Sequence, residues 1–242
     1  MARIFITGSA DGLGHLAAKH LAEDGHRVVL HARNEKRAND ALRKVPGAEK
    51  VLAADLEDIE QVKQLAEEVN AMGRFDAVIH NAGVYRTSED VIFRVNTLAP
   101  YVLTCLIDKP ERLVYLSSGL HMQGDAGLKG FDNGKVSYSD SKLHVVLLAK
   151  AVARRWKGVY ANAVDPGWVP TKMGGPGAPG NLEKGYEAQV WLAVSDQEAV
   201  KVSGRYFYDK REKNSHSKAD DSDVQEKFLE LCEAASGVQF PR

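Results

Sequence analysis

The chain has 242 residues, with 32 Lys+Arg against 33 Asp+Glu for a formal net charge of −1, 44% hydrophobic residues and 27% charged ones. This balance fits one large globular domain, excludes a disordered or low-complexity chain, and draws the molecule toward neither nucleic acid nor an anionic membrane. Two cysteines, Cys105 and Cys232, form no disulfide framework or zinc site, and no apolar run suffices for a signal peptide or membrane span, so a metal-free protein of the reducing cytoplasm is expected.

Arg3 to Thr7 reads as a first strand, and Thr7-Gly8-Ser9-Ala10-Asp11-Gly12-Leu13-Gly14 delivers it into a helix over Leu13 to Asp24. Glycines in a strand-to-helix turn let backbone N–H groups approach a pyrophosphate at the positive end of the helix. Further strands are predicted at Arg27 to Ala32, Lys50 to Ala54, Asp76 to His80, Arg112 to Ser117, Val159 to Val164 and Arg205 to Tyr208. Each is a continuous apolar run, as parallel strands covered on both faces require. Helical patterns with start and stop signals lie between and after them: Asn34 to Lys44, Ile59 to Ala71, Asp90 to Ile107, Ser139 to Trp156, Leu182 to Val194 and Val224 to Ala235. The alternation predicts a single α/β domain over 1–242, a Rossmann-type doubly wound, seven-stranded parallel sheet with helices on both faces. Gly119 to Lys135 and Gly174 to Gly180 read as loops at the carboxyl edge of the sheet, with a substrate lid near 171–182. Asp209 to Asp223 reads as a solvated excursion.

Five motifs stand in a fixed order: Gly8-x-x-x-Gly12-x-Gly14, Asn81-Ala82-Gly83, Ser118, Tyr138-Ser139-Asp140-Ser141-Lys142, and Asp165-Pro166-Gly167-Trp168-Val169-Pro170-Thr171. Together they resemble the short-chain dehydrogenase/reductase family over nearly the whole chain. Leu116-Ser117-Ser118-Gly119-Leu120-His121, the long gap to Tyr138, and Ser203-Gly204-Arg205-Tyr206-Phe207 resemble its retinol-dehydrogenase-like branch. The resemblance implies hydride transfer between a nicotinamide dinucleotide and a carbonyl/alcohol substrate. It also implies that Gly8, Ser9, Asp11, Gly12, Leu13 and Gly14 form the pyrophosphate turn and that Asp55 and Leu56 meet the adenine. Asn81, Ala82 and Gly83 would stand by the adenosine ribose, and Pro166, Gly167, Val169 and Thr171 by the nicotinamide.

NAD-binding members of that family carry an acid at the end of the second strand, where this chain has Ala32 followed by Arg33. A guanidinium fork can hold a 2′-phosphate, so NADP(H) is expected ahead of NAD(H). Tyr138 and Lys142 are four apart on one helical face, which puts an ammonium beside a phenol; Lys142 is expected to lower the Tyr138 pKa. In the family, Tyr138 would be the acid/base, Ser118 would donate to the substrate oxygen, and Asn96 would anchor a water relayed to Lys142. Tyr138 and Lys142 would also contact the cofactor.

A wall of Tyr85, Leu120, His121, Met122, Trp168 and Met173 suits a mainly apolar substrate, with Lys172 the nearby cation that could take a carboxylate instead. A non-enzymatic NADP(H)-binding redox sensor or scaffold remains the alternative from another class, opposed by retention of all four catalytic positions. Sugar-nucleotide epimerases have a different glycine spacing. The pairs His15/His20 and His31/His80 lack zinc-binding company and are read as core or surface residues. Family members pair the helices matching Asp90 to Ile107 and Ser139 to Trp156, so a homodimer or homotetramer is expected.

Overall fold

The structure, a computed structural model, describes residues 1–241. β1 (Arg3–Ile6), β2 (Arg27–Ala32), β3 (Lys50–Ala53), β4 (Ala77–His80), β5 (Arg112–Leu116), β6 (Tyr160–Asp165), β7 (Tyr206–Tyr208) and β8 (Arg211–Lys213) form one sheet in the order β3-β2-β1-β4-β5-β6-β7-β8. Pairing is parallel from β3 to β7. The reversal of strand order between β1 and β4 opens a crevice at their carboxyl ends, where folds of this class hold ligands.

Side-chain alternation along the strands separates two cores. Ile4, Ile6, Val28, Leu30, Ala77 and Ile79 pack on one face against α1 (Gly12–Glu23), α2 (Glu35–Lys44) and α7 (Leu182–Val194). Phe5, Val29, Val78, Leu113 and Tyr115 pack on the other against α3 (Ile59–Ala71), α5 (Ala99–Leu106), α6 (Tyr138–Arg155) and α8 (Ser222–Ser236). Helix starts are set by side chains that accept the otherwise orphaned first N–H groups: Asp11 for α1, Asn34 for α2, Asp58 for α3, Asn181 for α7 and Asp221 for α8. Ser137 and Asp140 close a reciprocal capping box on α6.

Two features depart from expectation. The sheet has an eighth strand: β8 pairs antiparallel with β7 through a turn at Asp209 and Lys210, both at positive φ, inside the stretch read as a solvated excursion. The helix predicted over Asp90 to Ile107 is composite, with a π-helical turn at Phe93–Leu98 between α4 (Glu89–Ile92) and α5.

The face expected to pair with a second copy is covered within the chain. Phe228, Leu229 and Cys232 of α8 join the core beneath α6, and the tail after α8 is fastened by Tyr101 Oη donating to the Val238 carbonyl (2.9 Å) and Trp156 Nε1 donating to the Pro241 carbonyl (3.2 Å). α8 and the tail thus take up apolar surface of the helices on which pairing with a second copy is expected. Among the described residues, no helix is long and apolar enough to cross a membrane.

Candidate active site

The glycine turn and the Asn81-Ala82-Gly83 turn are built as one unit. Gly8 has φ 64°, and a Cβ there would lie 2.8 Å from Ala82 Cα, so only glycine fits. Asn81 Nδ2 donates to the carbonyls of Thr7 (3.0 Å) and Gly8 (3.2 Å), while Ala82 N–H donates to Thr7 Oγ1 (3.0 Å). Gly14 lets α1 press on Asn81, where a Cβ would meet Nδ2 at 2.3 Å.

Gly8, Asp11, Gly12 and Leu13 line a cleft of about 390 Å³ that also takes in Asn81, Ala82 and Gly83. Ser9 and Gly14 do not line it. The Ser9 hydroxyl turns inward, donating to the Ile6 carbonyl (3.0 Å) and accepting from His31 N–H (2.9 Å). Both residues shape the turn from behind, and their expected cofactor contact is corrected to that role.

His31 holds the turn from the β2 side. Its Nδ1 accepts the Gly8 N–H (3.0 Å), which leaves Nε2 to donate to the Ala54 carbonyl (3.0 Å). Burial pushes its pKa down to about 4, so the ring is neutral and this tautomer is the one the bonds require. Sequence reading gave His31 a core or surface place without this partner.

The far end of the cleft is lined by Ala32, Arg33, Arg37, Asp55, Leu56 and Glu57. Arg33 extends past the end of β2, 3.9 Å from Glu57 Oε1, and Arg37 stands 3.7 Å from Asp11 Oδ2. Arg37 was missed in the sequence. The available signal was its spacing: it follows Arg33 by four residues, across the Asn34 cap, on the first turn of α2.

At the other end, the α6 cap presents Tyr138 and Lys142 to the same cleft. Lys142 Nζ lies 5.4 Å from the Tyr138 ring centroid and donates to the Leu116 carbonyl (2.9 Å). Burial pushes the Lys142 pKa down to about 8, against the pull of the Asp165 carboxylate. The Tyr138 pKa is pushed up to about 12, first by burial and then by Asp165 and Tyr85. The expected lowering of Tyr138 by Lys142 is therefore reversed in the protein alone: desolvation and a nearby carboxylate favour the neutral phenol. Asp165, read only as part of a bend motif, is the group that sequence analysis overlooked here. Its Oδ1 accepts from Gly167 N–H (2.8 Å) and its Oδ2 from Tyr206 Oη (3.2 Å).

Asn96 sits inside the π-helical turn and ties two motifs together. Its Oδ1 accepts Val84 N–H (2.8 Å), and Nδ2 donates to the Val84 carbonyl (3.0 Å) and Ser141 Oγ (3.1 Å). A Cβ on Gly83 would come within 3.5 Å of both Asn96 Oδ1 and Lys142 Nζ, so these three positions meet. Ser118 Oγ accepts Leu120 N–H (3.3 Å), capping its own turn, and lies outside the cleft lining, which takes in Ser117; Ser117 Oγ donates to the Lys142 carbonyl (2.9 Å).

The rim is apolar. Tyr85 packs on Tyr138 with centroids 4.6 Å apart, and Met173 Sδ lies 4.0 Å from Tyr138 Oη. Leu120, Met122 and Trp168 are exposed, with Trp168 Nε1 donating to the Gly174 carbonyl (2.8 Å). His121 is corrected: it is buried, with Nδ1 on the Ser118 carbonyl (2.7 Å) and Nε2 accepting His216 N–H (3.1 Å), so it supports the wall from behind. Tyr208 is exposed and stands 3.4 Å from where a Gly167 Cβ would lie. Pro166, Thr171 and Lys172 line the cleft, whereas Gly167 and Val169 lie outside its lining; Lys172 pairs across it with Asp11.

A family model described as short chain dehydrogenase matches residues 2–180. An uncharacterized oxidoreductase of Emericella nidulans is 46% identical, over 100% of this chain and 99% of its own. Retinol dehydrogenase 14 of Homo sapiens is 30% identical, over 97% of this chain and 86% of its own, in keeping with the branch resemblance. A short-chain dehydrogenase of Shigella flexneri, solved in complex with NADP, shares the fold with a TM-score of 0.68 at 23% identity, covering 87% of this chain and 97% of its own. With the glycine turn, the Asn-Ala-Gly turn and the Tyr-Lys helix joined around one cleft, the chain belongs to the short-chain dehydrogenase/reductase family of oxidoreductases.

Proposed function

We propose that this oxidoreductase interconverts an apolar carbonyl compound and its alcohol with NADP(H), using Tyr138 as acid/base and Ser118 as the donor to the substrate oxygen. The carrying observation is continuity: a single cleft runs from Arg33 and Arg37 to Tyr138 and Lys142. Gly8 and Gly12 line it without side chains at the α1 N-terminus, which suits a dinucleotide pyrophosphate. Bound NADP(H) supplies the hydride chemistry.

Arg33 and Arg37 hold the 2′-phosphate, Asp55 and Leu56 border the adenine, and Asn81 to Gly83 border the adjoining ribose. Lys142 keeps its ammonium beside the phenol, Asn96 fixes the Val84 backbone beside it, and Ser118 steadies the oxygen whose charge changes. Met173 and Tyr85 exclude water from Tyr138. Segment 171–182 serves as the lid, fastened at the glycine turn through Lys172 and Asp11. Free, buried Cys105 and Cys232 support a reducing, cytoplasmic setting.

The test is a panel of lipophilic ketones and alcohols assayed by NADPH absorbance with wild-type protein and Tyr138→Phe. The variant binds NADPH as wild type does and loses turnover, because only the transferable proton is deleted. Turnover retained by Tyr138→Phe defeats the assignment, and a consistent preference for anionic substrates defeats the substrate class.

A further inference from the structure

Behind Lys142, adjoining the main cleft and sharing Leu116 and Lys142 with it, lies a small chamber that also takes in Thr7, His80, Asn96 and the apolar Leu103 and Val145, with about 10 Å³ open to the centre of a water molecule. That is the space one water needs. His80 is 5% exposed, at the end of β4, with its ring stacked on Tyr115 at 4.8 Å and 7°.

The hydrogen bonds around Thr104 fix which nitrogen of His80 carries the proton. Thr104 Oγ1 has one hydrogen, donated to the Pro100 carbonyl (2.7 Å). Its contacts with His80 Nε2 (3.3 Å) and Tyr115 Oη (2.9 Å) must then be accepted, so Nε2 bears the hydrogen and Nδ1 bears the lone pair. Nδ1 is buried and has no hydrogen-bond partner among the described residues. A buried acceptor left unpaired is costly, whereas a water among the polar groups that His80, Asn96 and Lys142 bring to this otherwise apolar chamber satisfies it.

We propose that His80 Nδ1 holds one buried water in this chamber, oriented so that its lone pair accepts an N–H of Lys142, which makes His80 a positioning residue for the Tyr138–Lys142 pair. The water donates one O–H to Nδ1. Lys142 has donors to spare, since only the bond to the Leu116 carbonyl is taken up by protein. The arrangement holds the ammonium of a buried lysine in place from its far side. The inference rests on the reading of Tyr138 and Lys142 as the acid–base pair.

Two substitutions separate the two ring nitrogens. Glutamine in place of His80 can keep a donor near Nε2 for Thr104 but offers nothing at Nδ1, while asparagine keeps an acceptor near Nδ1 and gives up the contact with Thr104. His80→Gln lowers kcat about tenfold, the effect of one hydrogen bond to a cation, with KM for cofactor and substrate unchanged. His80→Asn recovers most of that loss, although its thermal stability falls further than that of His80→Gln. A crystal structure of the wild-type protein shows one ordered water within hydrogen-bond distance of Nδ1 and of Lys142 Nζ, and the site persists in His80→Asn.

A purely structural His80 predicts the opposite order, with the asparagine variant the poorer enzyme. That order overturns the proposal, as does wild-type kcat in His80→Gln or a wild-type crystal structure with no water on Nδ1. Should His80→Gln fail to fold, the crystallographic water decides alone. Tyr138→Phe is assayed alongside. If it still turns over, the acid–base reading fails; if it is inactive while His80→Gln equals wild type, only the placement of the water is wrong.

Discussion

Asp165 gives the sharpest handle on the electrostatics of the cleft, because its carboxylate opposes Tyr138 and supports Lys142 at once: it raises the pKa of both. Replacing it by asparagine removes the charge and keeps the shape. Oδ1 still accepts Gly167 N–H, and Nδ2 donates to Tyr206 Oη in place of the lost acceptor. A nearby charge moves a pKa by about one to three units, and the partial exposure of Asp165 argues for the lower end, about one unit or about 1.4 kcal/mol. The sign is the same for both groups. The Tyr138 phenolate and the neutral Lys142 amine each become easier to form, so both limbs of the pH–rate profile move to lower pH. For alcohol oxidation with saturating NADP+, kcat on the acid side of the profile rises up to about tenfold at fixed pH. The assay is kcat against pH for wild type and Asp165→Asn, with thermal melting to verify the fold. Limbs that stay in place or move to higher pH, at an unchanged melting temperature, would refute the assigned role of this carboxylate.

Cofactor selectivity should divide between two arginines: Arg33→Ala and Arg37→Ala each weaken NADPH binding by about 1.5–3 kcal/mol and leave NADH binding nearly unchanged, as read by fluorescence titration. Equal wild-type affinities for the two cofactors would sink this expectation. Acid should unfold the protein early. His31, His80 and His144 have folded-state pKa values pushed by burial to about 4, 3 and 4, below the ordinary 6.5, so the unfolded chain binds more protons below pH 6.5. Their contribution is full well above that pH, and its loss steepens to about 4 kcal/mol per pH unit by about pH 5.5; a urea midpoint that is flat between pH 7 and 5.5 contradicts this. Light scattering at micromolar concentration should give a single-chain mass, since α8 covers the helices that would pair; a dimer would locate pairing on another face.

The parallel strands were legible because continuous apolar runs such as Arg112 to Leu116 have no other use, and the helix starts because Asp11, Asn34 and Asp58 are N-cap residues by chemistry. β8 was not legible: Arg211-Glu212-Lys213 are all exposed and carry no apolar face, and its turn forces Asp209 and Lys210 to positive φ without a glycine to mark it. Residues that line the cleft were legible where a motif is local, as with Gly8, Asp11, Gly12 and Leu13 or Tyr138 and Lys142. What escaped was pairing at long range. His31 with Gly8, Lys172 with Asp11, and Asp165 with Tyr138 come together through strand order, and no spacing in the chain announces them. The direction of the Tyr138 shift reversed for the same reason, since it depends on burial and on a carboxylate from another strand.

The π-helical turn also sets a rotational phase. A residue in an α-helix advances the chain by about 100°, and the wider turn at Phe93–Leu98 takes up one extra residue, so the helix after it lies about that angle from where regular winding of the same sequence would place it. In the present phase, Ile92 before the turn and Tyr101, Val102 and Cys105 after it all face the interior. Winding the same residues as a regular α-helix would turn everything after Leu98 and bring one of those groups out of alignment with the core. Either Asn96 would leave Val84 or the Tyr101 hydroxyl would leave the Val238 carbonyl. The turn therefore acts as a gear tooth between the cleft and the C-terminal tail, keeping the side chain that meets Ser141 in register with the one that fastens the end of the chain.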